Sequence, residues 1–172
     1  MKNDNFKSFA ALVLICITVA ALMGTVNYFT SPIIEKNEIE KITNSLLVVM
    51  PDGEEFEEVE FSSLPASVKQ VYKEKSGGYV FKLVTSGYSS GLTIMCGINA
   101  DGKVTGAECI SSGETLGKEK TYGSVFNGCD GKSVSSIDTV SGATLTTKAY
   151  KNAVADALAA FDILTKEAAA NE

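Results

Sequence analysis

The 172 residues predict an α+β protein: one N-terminal transmembrane helix, then a single exported domain with an antiparallel hairpin sheet and packed helices. Three observations carry this prediction. Residues 8–29 contain no charged side chain. From Gly78 the apolar pattern takes a period of two, and Asp101-Gly102, a strong hairpin signal, separates two such runs. The C-terminal stretch returns to a helical period, with Ala149, Tyr150, Ala153, Val154, Ala157, Leu158, Phe161 and Leu164 on one face from Thr146 to about Ala168. Strands joined by hairpins and helices grouped around them are the α+β arrangement.

The first element is the membrane helix, 8–29, preceded by a cytoplasmic N-terminus at 1–7. Its 22 residues cover roughly 33 Å at ~1.5 Å per residue, enough for a hydrocarbon core of about 30 Å. A cleaved signal peptide has a shorter apolar region, and no small-x-small cleavage site precedes Thr30-Ser31-Pro32. Cys16 follows Leu14-Ile15 in mid-span, which does not suit a lipoprotein signal. Lys2 and Lys7 before the span place the N-terminus in the cytoplasm and the remainder outside. The protein is thereby predicted to be single-pass in the inner or cytoplasmic membrane. From Thr30 onward 13 Lys face 20 acids, so the exported part carries −7 and should be repelled by anionic headgroups.

A stalk helix follows at 30–50. Pro32 can open it, and Ile39, Ile42, Leu46 and Val49 recur at three- and four-residue steps until Met50-Pro51. The exported domain proper is 51–172. Its first stretch, 52–60, holds six acids in nine residues and reads as a solvated loop rather than a calcium site. Residues 67–74 form either a short helix or a lead into the sheet. Residues 79–84, 92–98 and 103–110 read as strands, with a Ser/Gly-rich turn at 86–91. If Ala100 pairs with Lys103, Cys96 faces Ala107 and Cys109 faces Ile94. The two cysteines are then diagonal neighbours, an awkward geometry for a disulfide, and read as small buried hydrophobes. A weak helical stretch at 121–126 and a polar loop at 127–136 precede the last helix.

Composition removes several classes of chemistry. The chain has 15 Lys and no Arg, 21 acids, a net charge of −6, and neither His nor Trp. Ser-His-Asp triads, the familiar zinc hydrolase sites and His-ligated haem lose their principal residue. A nucleic-acid surface needs a basic patch that is missing here. No metal set and no catalytic side chain is assigned; three exported cysteines without CxxC also argue against an iron–sulfur cluster within the domain. A borrowed cofactor is the natural alternative. Asp138-Thr139-Val140-Ser141-Gly142-Ala143-Thr144 puts a small-residue turn and hydroxyls at the mouth of the last helix. Free N–H groups and the helix dipole favour an anion there. Helix capping alone explains the same residues.

Asp-x-x-Ser-Gly-Ala-Thr before a hydroxyl-rich helix start resembles the flavinylation motif of the FMN-binding domain family. That family includes the G subunit of the Rnf complex and the C subunit of the sodium-pumping NADH:quinone oxidoreductase. The N-terminal anchor, the Pro32 stalk, Gly87-Tyr88-Ser89-Ser90-Gly91, Gly97-Ile98-Asn99 with Asp101-Gly102, and Glu114-Thr115 follow in the family's order. The resemblance implies FMN joined through its phosphate to Thr144, with Ser141, Gly142 and Ala143 beside it. It also implies a flavin transferase that recognises Asp138. Glu114, Thr115 and Gly117 match the family's Glu-Thr-Pro-Gly-Leu-Gly loop near the isoalloxazine; Leu116, Lys118 and Glu119 depart from it.

Function follows as an expectation. The resemblance implies an electron-carrying subunit of an Rnf-type, ion-translocating ferredoxin:NAD⁺ oxidoreductase, with the other membrane subunits as partners. A free-standing extracytoplasmic FMN electron-transfer protein and a flavin-free assembly module are the alternatives. A Thr hydroxyl with no adjacent base is a poor nucleophile. Thr144 therefore serves as an anchor modified by another enzyme.

Overall fold

The computed structural model describes the backbone of residues 2–61 and 63–170, and their side chains except those of 2–8, 10, 11, 29, 31–39 and 170. It confirms the α+β class. Helix α1 (Lys2–Val49) is followed by strands β1 (Phe56–Glu58), β2 (Val68–Glu74), β3 (Tyr79–Ser86), β4 (Ser90–Ile98) and β5 (Val104–Ser111). Helix α2 (Glu119–Tyr122), 3-10 turns at Gly123–Phe126 and Val134–Ser136, and helix α3 (Thr144–Ala170) complete the chain. The strands form one antiparallel sheet in sequential order.

The chain divides into two units, 1–42 and 43–172. The first is helical and contains the apolar run. Among the described residues no helix is long and apolar enough to cross a membrane. The side chains at 8, 10, 11 and 29 of the predicted span, the orienting Lys2 and Lys7, and Pro32 and Ile39 of the stalk lie outside the described residues. Helix α1 continues through Pro32 without a break.

In the second unit, the end of α1 belongs to the domain. Leu46 and Val49 of the predicted stalk face are buried. Gly97 and Gly106 are paired across β4 and β5, and a Cβ on either would come within 3 Å of Val49 backbone atoms. The Thr105 hydroxyl donates to the Val49 carbonyl at 2.6 Å. Two opposed glycines thus make the flat spot on which the helix end sits. The other sheet face carries the main core: Tyr79, Phe81 and Leu83 of β3 and Ile94, Cys96 and Ile98 of β4 join Tyr150, Ala153, Val154, Ala157 and Phe161 of α3. Each fully buried Phe or Leu contributes about 1.5–3 kcal/mol.

Four readings are corrected or resolved. Part of the acidic stretch is an edge strand, not a loop: β1 pairs Phe56 with Glu74 and Glu57 with Lys73. Opposite charges across the strands offset repulsion among the acids. Residues 68–74 are strand β2. The last helix starts at Thr144, two residues before its apolar stripe, because free first-turn positions need no buried face. The Asp101-Gly102 hairpin has a three-residue loop. The Asn99 N–H donates to the Lys103 carbonyl at 2.9 Å, and Gly102 takes φ +74°. The Asn99 side-chain oxygen accepts the N–H groups of Asp101 and Lys103, which selects this loop over the two-residue one. A bulge between Gly97 and Ile98 absorbs the slip, so Cys96 still faces Ala107 and Cys109 still faces Ile94. Cys96 and Cys109 are free thiols; Cys96 is buried and Cys109 half-buried. Burial pushes the Cys96 thiol up to about 12.

Candidate functional site

The motif forms a turn locked to the first helical turn of α3. The Ala143 N–H donates to the Val140 carbonyl at 3.1 Å, and Gly142, at φ +82°, sits where a type II turn needs a left-handed residue. Thr147 reaches back: its hydroxyl accepts the Val140 N–H at 3.1 Å and donates to the Ala143 carbonyl at 3.0 Å. The first intrahelical bond runs from the Thr147 N–H to the Ala143 carbonyl at 2.9 Å. Ala143 is thus the residue before the helix, and its side chain supplies no cap. Thr147, fully buried, supplies the local order instead.

Upstream, two contacts hold the loop that carries Asp138. The Tyr122 hydroxyl donates to the Asp138 carbonyl at 2.8 Å. The Lys151 ammonium donates to the carbonyls of Ser135 and Ile137 at 3.1 and 3.0 Å. Asp138, Ser141, Gly142 and Thr144 remain exposed. The Thr144 hydroxyl makes a 3.5 Å contact with the Val140 carbonyl. That long contact leaves its oxygen accessible to a reagent.

Beside this turn lies a cavity of about 250 Å³ lined by Tyr88, Glu114, Thr115, Leu116, Glu119, Ala143 and Thr146. Glu114 organises it. One carboxylate oxygen accepts the Ser89 N–H at 3.0 Å and the other the Thr146 hydroxyl at 2.6 Å, so one side chain ties the β3–β4 turn to the first turn of α3. Gly87 allows the approach, since a Cβ there would lie 2.6 Å from Glu114 Oε1 and 2.8 Å from the Thr146 Cα. Of the lining residues, Tyr88 and Leu116 are largely exposed, giving the mouth an apolar rim.

The structure brings Glu114, Thr115 and Ala143 into the cavity wall. Ser141, Gly142, Thr144, Gly117 and Asp138 are not among its lining residues; Gly117 takes φ +64° in the adjoining loop. Thr146 is not an open hydroxyl at the helix mouth but a buried donor to Glu114. Sequence reasoning passed over Thr147, Tyr122 and Lys151, whose roles depend on neighbours far along the chain. It named Glu119 only as a departure from the family pattern. A larger cleft, about 500 Å³, lies among Met50, Gly78, Asn99 and Thr105, and no residue from Asp138 to Thr144 lines it. Among the described residues, no cluster of His, Cys, Asp and Glu has the arrangement of a metal site.

The donor set fits FMN. An exposed hydroxyl, free N–H groups opening a 27-residue helix, and an apolar-rimmed cavity with polar groups inside suit a phosphate followed by a flat ring. Comparison with known proteins points the same way. Residues 87–159 match the family described as FMN-binding domain, a span that contains the β3–β4 turn, Glu114 and the whole of the Thr144 motif. The G subunit of the Na(+)-translocating ferredoxin:NAD(+) oxidoreductase complex of Acetobacterium woodii is 26% identical over 193 residues, covering 94% of this chain and 93% of the relative. The G subunit of the proton-translocating ferredoxin:NAD(+) oxidoreductase complex of Clostridium ljungdahlii is 23% identical over 175 residues, covering 91% of each. The chain is therefore RnfG-like over most of its length, and its residues 87–159 match the FMN-binding domain family.

Proposed function

We propose that this protein is a membrane-anchored flavoprotein subunit that carries FMN on Thr144 through a phosphoryl linkage. It relays electrons on the outer face of the membrane within an Rnf-type ion-translocating ferredoxin:NAD⁺ oxidoreductase complex. The observation that carries the reading is the exposed Thr144 hydroxyl on the first residue of α3, next to a cavity built around Glu114.

FMN when bound supplies one- and two-electron redox chemistry that the side chains lack. The protein's part is attachment, orientation and electrostatics. The N–H groups of Thr144, Leu145 and Thr146 open α3 and suit the single negative charge of a phosphodiester, an effect of about 0.3–1 kcal/mol. The rim of Tyr88 and Leu116 suits the faces and edge of an aromatic ring. The cavity is smaller than the roughly 300–1,000 Å³ of sites that enclose their ligands. A covalent tether suits so small a site, because it prevents loss of the flavin and keeps its local concentration high. The exposed Asp138, on a loop held by Tyr122 and Lys151, suits recognition by a flavin transferase acting on the folded domain.

The uncharged run at 8–29 supports a membrane anchor, and the lysines before it support a cytoplasmic N-terminus with the 51–172 domain outside. The full-length likeness to the two G subunits supports a place among other membrane subunits of such a complex. The test is intact mass and in-gel flavin fluorescence after denaturation, with a flavin transferase present. The wild type should carry one FMN and Thr144→Ala none; a fluorescent Thr144→Ala band would refute the attachment. Recovery of the protein as a lone monomer from gently solubilised membranes would refute the assembly.

A further inference from the structure

Glu119 opens α2 one residue after the Glu114–Gly117 loop and is 1% exposed. It lines the same cavity as Glu114. The two carboxyls differ in their partners. Both oxygens of Glu114 are taken, by the Ser89 N–H and the Thr146 hydroxyl. In Glu119, Oε1 accepts the Ser112 hydroxyl at 2.7 Å, while Oε2 is buried with no hydrogen-bond partner among the described residues. No salt bridge to Glu119 is present among them either. Buried acceptors in folded proteins nearly always have a donor, so this oxygen calls for one that the polypeptide does not supply. Its field already reaches the sheet: burial first, and Glu119 second, push the half-buried Cys109 thiol above its ordinary value.

An isoalloxazine offers what is missing. Its pyrimidine edge carries an N–H between two carbonyls, and reduction adds two electrons with one or two protons, gathering negative charge toward that edge. We propose that Glu119 is a ring-side residue of the flavin pocket. Its free oxygen accepts a ring N–H, and its carboxylate disfavours the added electrons, holding the flavin at a low reduction potential. This rests on FMN being carried at Thr144. It gives a function to one of the positions where the chain departs from the family loop. Ser112 is then a positioning residue that fixes which carboxylate oxygen stays free.

The experiment is a spectroelectrochemical titration of the full-length protein, flavinylated by a co-expressed flavin transferase, as wild type, Glu119→Gln and Glu119→Met. Intact mass establishes attachment in each, and the melting temperature controls for folding. Glutamine keeps the shape and can keep the bond from Ser112; methionine removes the same charge with a similar volume. Both should raise the midpoint. A tenfold rise in the reduced-to-oxidised ratio at fixed potential, about 30 mV for a two-electron couple, is expected for Glu119→Gln. An unchanged or lower midpoint in a flavinylated, folded variant would overturn the proposal. So would loss of attached FMN from both folded variants, which would make Glu119 part of attachment. A wild type without FMN would instead remove the Thr144 reading beneath it.

Discussion

Replacing Gly87 by alanine probes the joint on which the site depends. The added Cβ would stand 2.6 Å from Glu114 Oε1 and 2.8 Å from the Thr146 Cα. The carboxylate can swing away, but the Cα belongs to the helix backbone and cannot yield alone. Either the β3–β4 turn or the first turn of α3 must move. Overpacking of this kind costs about 1–3 kcal/mol, and a carboxylate hydrogen bond contributes roughly 1.5–3 kcal/mol. Partial loss of the two Glu114 bonds brings the total to about 2–4 kcal/mol. For a domain of this size that lowers Tm by on the order of 10 °C. Thermal unfolding followed by circular dichroism measures it. Gly131→Ala is the control, because a Cβ there meets nothing within 4 Å and its φ is not left-handed. It should be neutral or slightly stabilising. A Gly87→Ala protein that melts within a degree of wild type would refute the account of the Glu114 joint.

Thr147→Val keeps the volume of a fully buried side chain but leaves the half-buried Val140 N–H without its acceptor. A loss of about 1–3 kcal/mol in urea unfolding is expected, whereas exposed Thr144→Ala should change stability little. Equal effects from the two would contradict the capping role given to Thr147. Glu74 supplies a pH test. Hydrogen bonds from the Ser76 hydroxyl and from backbone N–H groups hold its carboxyl below the ordinary range against the opposing effect of burial. A lowered folded value stabilises above the unfolded value, about 4.3, and that contribution is lost as pH falls through the folded value. Glu74→Gln should therefore be less stable than wild type at pH 7, with the gap closing in acid. A gap that widened on acidification would reverse the assignment.

The two glycines at 97 and 106 show where local reading stops. Alternation identified their strands, and the predicted pairing of Cys96 with Ala107 holds in the structure. It held through two compensating features, a three-residue loop and a bulge, that alternation cannot register because each shifts the pattern by one. That the glycines seat Val49 depends on a segment some fifty residues away. The site divides in the same manner.

The sequence by itself determined the α+β class, the strands β3 to β5 and their order, the apolar face of α3 and the turn that leads into Thr144. These follow from side-chain period and from what glycine and hydroxyl residues do to their own backbone. Only the tertiary structure decided that Thr146 turns inward to Glu114, that Thr147 orders the turn, and that Glu119 is buried with one oxygen unpartnered. A carboxyl's hydrogen bonds depend on which donors the fold brings within about 3 Å, and no local pattern records that distance.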